Sequence, residues 1–165
     1  MSAGPAPLLT AAGVTKRFPG VLALDSVSLA VGRGETVAVV GENGAGKSTL
    51  MKVLAGVYQP DAGDLTLDGH GVRFPDPAAA MRAGVSLIHQ ELNLAENLSV
   101  LDNLFLGRER TAGGPLRLLA RGAMADAGRA LLARVGLPDH LLYARVADLP
   151  PGPKQLVEIA RALGL

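Results

Sequence analysis

Two stretches near the start of the chain carry apolar residues in the alternation typical of strands. They read LLTAAGVTKRF and VLALDSVSLAV, and Pro19 and Gly20 mark a turn between them. The second stretch predicts four buried positions, at Leu22, Leu24, Val27 and Leu29. Asp25 and Ser26 break its strict alternation.

Two shorter runs are mainly apolar. Residues 36–40 read TVAVV and residues 85–90 read VSLIHQ. The first run is typical of a parallel strand buried on both faces, and the second predicts another short strand. Between them, residues 60–72 predict turns around a short strand.

Helical spacing dominates elsewhere. We predict a helix after the glycine-rich loop that ends near Gly56, a second capped by Asp76 with Pro77 in its first turn, and a third capped by Ser99. A fourth spans residues 122–136, with apolar positions at Met124, Ala127, Leu131 and Val135, although Gly128 weakens it. A last helix has its predicted apolar face at Leu156, Ile159, Ala160 and Leu163.

Composition narrows the class of protein. The hydrophobic fraction of 48% and charged fraction of 19% fit a globular domain, and a formal net charge of +1 gives no basic field for nucleic acid. Only 3% of residues are aromatic, which argues against a base-stacking surface. With no cysteine, disulfides and thiolate chemistry are excluded. No apolar run is long enough for a membrane helix, and the start shows no signal peptide.

The chemistry is concentrated in the segment GENGAGKST, which matches the phosphate-binding pattern G-x-x-x-x-G-K-[ST] between a predicted strand and a helix. The glycines let the backbone N–H groups face inward, and the helix start favours an anion. Lys47 can reach the β- and γ-phosphates, and the Ser48 hydroxyl can ligate Mg²⁺. The predicted nucleotide-binding residues are Gly41, Glu42, Asn43, Gly44, Ala45, Gly46, Lys47, Ser48 and Thr49.

Other interpretations of this segment fit less well. A glycine-rich turn with an incidental Lys-Ser would not explain the agreement of pattern and context. A dinucleotide-binding loop needs G-x-G-x-x-G, which this order of glycines does not provide. A P-loop kinase or GTPase would need its own base-recognition motif, and we find none.

Further segments make the pattern specific. VTKRFPGVLALDSVSL, GENGAGKSTLMKVLAG, LIHQELNL, DNLFLGRE and LVEIARAL follow one another in the order and spacing of an ATP-binding cassette (ABC) ATPase. The chain most resembles the monosaccharide importers of the ribose, xylose and galactose type. The resemblance runs from about residue 8 to residue 165, and a DNA-acting relative is disfavoured by IHQELNL and by the lack of a basic stripe.

The resemblance implies roles for two more residues. Phe18 matches the aromatic residue that stacks on adenine, although a phenylalanine here could equally pack in the core. Gln90 matches the Q-loop glutamine, a catalytic residue that touches Mg²⁺ and the attacking water, although a surface glutamine is the plainer alternative. His89 is interpreted as a structural neighbour.

The chain also departs from the family. The signature loop L-S-x-G-[QE]-Q-Q corresponds to Leu149–Gln155, where Pro150 replaces the serine and Pro153 follows the glycine. Proline supplies no hydroxyl and no N–H, so we expect the helix to form and the phosphate contact to fail. The family's later segments, with the Walker B carboxylates and the switch histidine, have no counterpart, so hydrolysis by this chain alone is left open.

The expected fold class is α/β, a P-loop NTPase core of ABC type with a β-rich first part and a helical insert, incomplete at its C-terminus. We divide it into a tail (1–7), a nucleotide-binding core (8–91), a helical subdomain (92–148) and the signature loop with its helix (149–165).

The resemblance implies ATP and Mg²⁺ as cofactors, and an integral-membrane sugar permease and a second cassette as partners. It also implies an indirect link to an external or periplasmic sugar-binding protein. No nucleic acid is expected as a partner. The implied location is cytoplasmic, peripheral on the inner face of the cell membrane. The implied function is that of a partial ATP-binding importer subunit for monosaccharides; the alternative is a nucleotide-binding or permease-docking piece that does not hydrolyse ATP.

Overall fold

The computed structural model describes residues 6–89, 93–109, 111–112 and 118–164. The chain forms two compact units, residues 1–87 and residues 88–165. Strands dominate the first unit and helices the second, which confirms the predicted α/β class with a β-rich first part.

Unit 1 is built on a four-stranded antiparallel sheet. Its strands are β1 (Leu9–Phe18), β2 (Val21–Val31), β3 (Ala62–Leu67) and β4 (His70–Val72). The order across the sheet is β2-β1-β3-β4. β1 and β2 form the predicted hairpin, and Gly20 adopts a φ of 77° in its turn.

The hairpin is irregular near Ser26, where Asp25 and Ser26 break the apolar alternation. Ser26 adopts a φ of 49° and donates its N–H to the Thr15 hydroxyl at 3.1 Å. A further register shift places Leu24 opposite Lys16 but Leu22 opposite Arg17.

This second shift explains why the prediction for Leu22 is wrong. Leu24 is buried and Val27 and Leu29 are half-buried, but Leu22 is exposed. One extra residue lies between Leu22 and Leu24 in the pairing, so these two side chains no longer share a face.

Two helices complete unit 1, α1 (Lys47–Leu54) and α2 (Pro77–Arg82). The Asp76 carboxylate accepts the Ala79 N–H at 2.7 Å, so the predicted cap of α2 is confirmed. The predicted apolar stripe of α1 is buried against the sheet. This core consists of Ala11, Val14, Leu24, Leu50, Val53, Leu54 and Leu65.

Neither of these two predicted strands, the parallel one at residues 36–40 and the short one at residues 85–90, forms in the described residues. Residues 36–40 and 85–89 have no strand pairing, and Val40 is 91% exposed. A strand exists only through hydrogen bonds to a neighbour, and none of the described residues pairs with either segment. The prediction of a buried strand at TVAVV is therefore wrong, both in its pairing and in its burial.

Unit 2 is mainly helical. Its elements are α3 (Val100–Phe105), β5 (Thr111–Ala112), β6 (Leu118–Leu119), α4 (Arg121–Arg134), two short 3-10 helices (Asp139–Tyr143 and Val146–Asp148) and α5 (Pro151–Leu163). The Ser99 hydroxyl accepts the Asp102 N–H at 3.1 Å, which confirms the predicted cap of α3. Leu104, Leu132, Leu142 and Val157 are among the fully buried side chains of its core.

α4 forms in spite of Gly128, which sequence reasoning counted against it. A Cβ at this position would lie 2.8 Å from Leu142 Cδ1 and 3.3 Å from Leu101 Cδ1. The glycine therefore allows close packing in the core of unit 2.

The buried face of α5 differs from the predicted one. Val157 and Ala160 are fully buried, but Leu163 is 41% exposed and Leu156 and Ile159 are half-buried. Leu163 is the last residue of the helix.

Candidate functional site

The glycine-rich loop is an open turn between residue 40 and α1. Residues 41–45 are exposed, and Gly44 and Gly46 adopt left-handed φ angles of 88° and 85°. Only glycine takes these angles without strain. The Ala45 N–H donates to the Glu42 carbonyl at 3.2 Å, which closes the turn.

Gly46 is also fixed by a close approach. A Cβ at Gly46 would collide with the backbone carbonyl of Ala23 and lie 3.0 Å from Leu24 Cδ2. The absence of a side chain lets the start of α1 sit against β2. Ala23 lies beside the strand positions opposite Lys16 and Arg17. The loop is therefore packed on the part of the hairpin that leads to Phe18.

The Lys47 side chain folds back over the loop. Its ammonium donates to the Gly41 carbonyl at 2.6 Å and to the Glu42 carbonyl at 2.7 Å. The lysine charge is thus held within the turn, where a phosphate would meet it as a charge-assisted donor.

The start of α1 offers free donors. Gly46 occupies the N-cap position and has no side chain to cap the helix. Among the hydrogen bonds of the described residues, none uses the N–H of Lys47, Ser48 or Thr49. Ser48 is exposed and Thr49 half-buried. Unpaired N–H groups together with the helix dipole suit an anion, so the residues present fit a phosphate group.

Phe18 lies at the end of β1 and is half-exposed rather than part of the core. Its ring centroid is 5.2 Å from that of Tyr58, with the ring planes at 73°. The Lys16 ammonium lies 5.7 Å from the Phe18 ring centroid. Part of the ring is thus accessible, as an adenine platform would require.

Asp61 fixes the backbone beside Phe18. Its carboxylate accepts the Arg17 N–H at 2.6 Å and the Lys16 ammonium at 2.9 Å, and its own N–H donates to the Thr15 carbonyl. The hydrogen bond from Arg17, and then that from Lys16, hold the pKa of the Asp61 carboxyl below its ordinary value. The carboxylate therefore stays charged at neutral pH and ties β1 to the start of β3.

Sequence reasoning missed Tyr58 and Asp61. Both lie in GVYQPDAG, between the end of α1 and β3, where neither spacing nor motif marks them. Only the antiparallel pairing of β1 with β3 brings this segment to Phe18. A local pattern carries no signal for such a pairing.

Gln90 lies outside the described residues, so its role stays a prediction. Asn93, three residues later, forms hydrogen bonds through both its backbone N–H and its carbonyl with side chains of α5. Its N–H donates to the Glu158 carboxylate at 3.1 Å, and its carbonyl accepts from the Arg161 guanidinium at 3.1 Å. His89 is exposed.

The loop that corresponds to the family signature, Leu149–Gln155, leads into α5 and offers few backbone N–H donors. Pro150 is the N-cap residue, and Pro151 and Pro153 in the first turn have no N–H. The Lys154 N–H is used by the Pro150 carbonyl at 3.1 Å, and its ammonium pairs with Glu96 at 2.8 Å. Gly152 therefore supplies the one unused N–H of this turn within the described hydrogen bonds.

No group of three or more potential metal-ligating side chains occurs in the described part of the chain. Magnesium bound with a nucleotide usually takes few protein ligands and keeps phosphate and water oxygens for the rest. No helix among the described residues is long and apolar enough to cross a membrane.

Comparison with curated proteins finds close relatives. Ribose import ATP-binding protein RbsA 1 of Rubrobacter xylanophilus is 50% identical over 159 residues, which cover 96% of this chain and 31% of that protein. A putative ribose/galactose/methyl galactoside import ATP-binding protein of Pseudomonas fluorescens is 46% identical over 159 residues, covering 94% and 30%. The chain thus spans about a third of the length of these relatives.

Solved structures agree with the expected fold. A nucleotide-free ATP-binding cassette from an ABC transporter superposes with a TM-score of 0.77 at 28% identity, covering 96% of this chain and 65% of that one. A second ATP-binding cassette of an ABC transporter gives a TM-score of 0.82 at 28% identity, covering 97% and 66%. The predicted ABC-type fold is confirmed.

The family profile described as ABC transporter matches residues 24–164 of this chain. That range includes the whole phosphate loop and α5, so the resemblance stated from the motifs is confirmed over most of the sequence. Membership of this family implies nucleotide binding. The chain belongs to the ABC transporter family.

Proposed function

We propose that residues 41–49 bind the triphosphate of ATP. The observation that carries the proposal is the open start of α1, where unpaired backbone donors and the Lys47 ammonium meet at one exposed turn. Ser48 is the proposed ligand of Mg²⁺, an ion that neutralises phosphate charge when it is bound. A solved ATP-binding cassette in an ADP conformation is 28% identical to this chain, which supports nucleotide binding in general.

Phe18 is the proposed contact for the adenine ring, since it is half-exposed and lies on the hairpin that packs against the loop. Gln90 is proposed to contact Mg²⁺ and the attacking water. That role rests on the motif resemblance.

The names of the relatives support a role in sugar import. We propose that the chain is part of the ATP-binding subunit of an importer for a monosaccharide. Its proposed partners are an integral-membrane permease, a second cassette and, indirectly, an external sugar-binding protein. Its proposed location is the cytoplasmic face of the cell membrane. Residues 8–91 would be its nucleotide-binding core and residues 92–148 its permease-docking subdomain.

A second function is favoured by the start of α5. With two prolines in its first turn, this helix offers fewer donors to a phosphate than an ordinary helix start. The chain would then bind nucleotide, or dock on a permease, without hydrolysing ATP alone.

Turnover measurements separate the two functions. ATP hydrolysis is measured with the 165-residue chain alone and after addition of a full-length related cassette, each with wild-type and Lys47→Ala protein. Turnover by the chain alone that Lys47→Ala abolishes supports the hydrolysing subunit. Binding without turnover supports the second function. Turnover that Lys47→Ala leaves unchanged contradicts both.

A further inference from the structure

Tyr58 connects the helix of the phosphate loop to the Phe18 ring. It follows α1 by four residues, and the carbonyl of Lys52 in that helix accepts the N–H of Tyr58 at 3.2 Å and of Val57 at 2.8 Å. Gly56, between Lys52 and Val57, adopts a φ of 72°, and a Cβ at this position would approach Phe74 and Asp76. The Tyr58 backbone is therefore anchored to α1.

The Tyr58 ring contacts Phe18 in an edge-to-face arrangement, with centroids 5.2 Å apart and planes at 73°. This is a preferred geometry for an aromatic pair. The pair is flanked by cations, because the Lys16 ammonium lies 5.7 Å from the Phe18 ring and the Lys52 ammonium 5.6 Å from the Tyr58 ring. Both rings are half-buried, so the contact orders two otherwise accessible side chains.

The backbone of the Phe18 strand is fixed separately. The Asp61 carboxylate holds the N–H of Arg17, next to Phe18. That bond places the backbone but leaves the Phe18 ring free to rotate about its side-chain torsions. Among the described contacts of Phe18, only the contact with the Tyr58 ring has the geometry of an aromatic pair.

We propose that Tyr58 is a positioning residue for the nucleobase end of the site. Its ring holds Phe18 in one orientation, so that an adenine can stack on it without first ordering the ring. This inference rests on the proposed function, in which Phe18 contacts adenine. Because the Tyr58 hydroxyl makes no hydrogen bond among the described residues, the ring and not the hydroxyl carries the role.

The test compares two probes that share a phosphate chain and differ in the base. Affinity of the 165-residue chain is measured by calorimetry for MgATP and for Mg-tripolyphosphate. Tyr58→Leu removes the aromatic edge, and we expect it to weaken MgATP binding about 3- to 10-fold, the range of one aromatic pair. Mg-tripolyphosphate binding should stay within about 2-fold of wild type. Tyr58→Phe should retain the affinity for both probes.

A double-mutant cycle checks the route of the effect. In a Phe18→Leu background, Tyr58→Leu should cause no further loss of MgATP affinity, since the ring that it orients is gone. Circular dichroism monitors folding, and Tyr58→Met replaces the leucine variant if that one unfolds.

Three results overturn the inference. They are equal weakening of both probes by Tyr58→Leu, unchanged MgATP affinity, and tighter MgATP binding, which would mean that Tyr58 obstructs the ring. Failure of the proposed function looks different: Lys47→Ala would then leave the affinity for both probes at the wild-type value. A wild-type chain that binds neither probe would overturn both proposals.

Discussion

At the residue scale, the phosphate loop depends on one close approach. Gly46 combines a left-handed φ of 85° with a backbone contact to Ala23 that excludes any Cβ. Lys47, the next residue, crosses back to the first two residues of the loop. The conformation of the turn and the position of the lysine charge therefore depend on the same glycine.

We predict that Gly46→Ala disrupts the loop. A left-handed non-glycine residue costs roughly 1–2 kcal/mol, and the collision with Ala23 adds to that cost. Gly69→Ala is the matched control, because Gly69 has a φ of 77° with nothing within 4 Å of its would-be Cβ. Denaturant titration should show a larger loss of stability for Gly46→Ala; equal losses would mean that the close approach is unimportant.

Asp61 makes the folding stability of unit 1 depend on pH. Its pKa is lowered in the folded state by hydrogen bonds from Arg17 and Lys16. Its contribution to stability is thus complete above the ordinary carboxyl pKa of about 4. It is lost as pH falls through the lower pKa of the folded state.

We predict that Asp61→Asn reduces the acid sensitivity of unit 1. Asparagine keeps an acceptor for the Arg17 N–H but has no charge for Lys16 and does not titrate. Stability measured between pH 2 and about pH 6 should therefore rise less steeply with pH in the variant than in wild type. Parallel curves would show that Asp61 does not contribute to this dependence.

At the element scale, the helices of unit 2 are fixed by packing more than by propensity. α4 tolerates Gly128 because the space for a side chain is already filled by Leu101 and Leu142. Leu142 is fully buried, so it has little room to move aside. Sequence spacing located this helix but could not reveal why a helix-weakening residue stands in its centre.

We predict that Gly128→Ala destabilises the protein in spite of better helix propensity. Alanine gains about 1 kcal/mol in a helix interior, but overpacking a core costs about 1–3 kcal/mol. Gly122→Ala in the first turn of the same helix meets nothing within 4 Å and should be neutral or slightly stabilising. If Gly128→Ala is instead as stable as Gly122→Ala in urea unfolding, the packing argument is wrong.

The prolines at the start of α5 affect its folding and its proposed phosphate contact in opposite ways. Prolines suit the first turn of a helix, and α5 begins at Pro151 accordingly. The same prolines remove donors that a phosphate from an opposite cassette would need. Each missing charge-assisted bond is worth roughly 1.5–3 kcal/mol.

We therefore predict that Pro150→Ser with Pro153→Gln strengthens ATP-driven dimerisation. The double variant restores a hydroxyl at the cap and an N–H in the first turn. Analytical ultracentrifugation with and without MgATP measures the effect, and circular dichroism shows whether α5 persists. Equal dimerisation of the variant and the wild-type chain would reject this account of the loop.

At the scale of the whole molecule, prediction succeeded where structure is local. The β1–β2 hairpin, the caps at Asp76 and Ser99, and the glycine-rich turn before α1 each depend on neighbouring residues, and each was predicted from the sequence. The strand predicted at residues 36–40 does not form, because a strand requires a pairing partner that a local pattern cannot identify. The Phe18–Tyr58 pair was missed for the same reason, since β-sheet pairing brings it together.

The central claim is that residues 41–49 bind the phosphates of ATP, and calorimetric titration of the 165-residue chain with MgATP tests it most directly. Lys47→Ala removes a charge-assisted contact, and Arg82→Ala removes an exposed positive charge of α2 as the matched control. We predict that Lys47→Ala weakens MgATP binding at least about 10-fold and that Arg82→Ala changes it less than about 2-fold. Equal affinities of wild-type and Lys47→Ala protein would contradict the account.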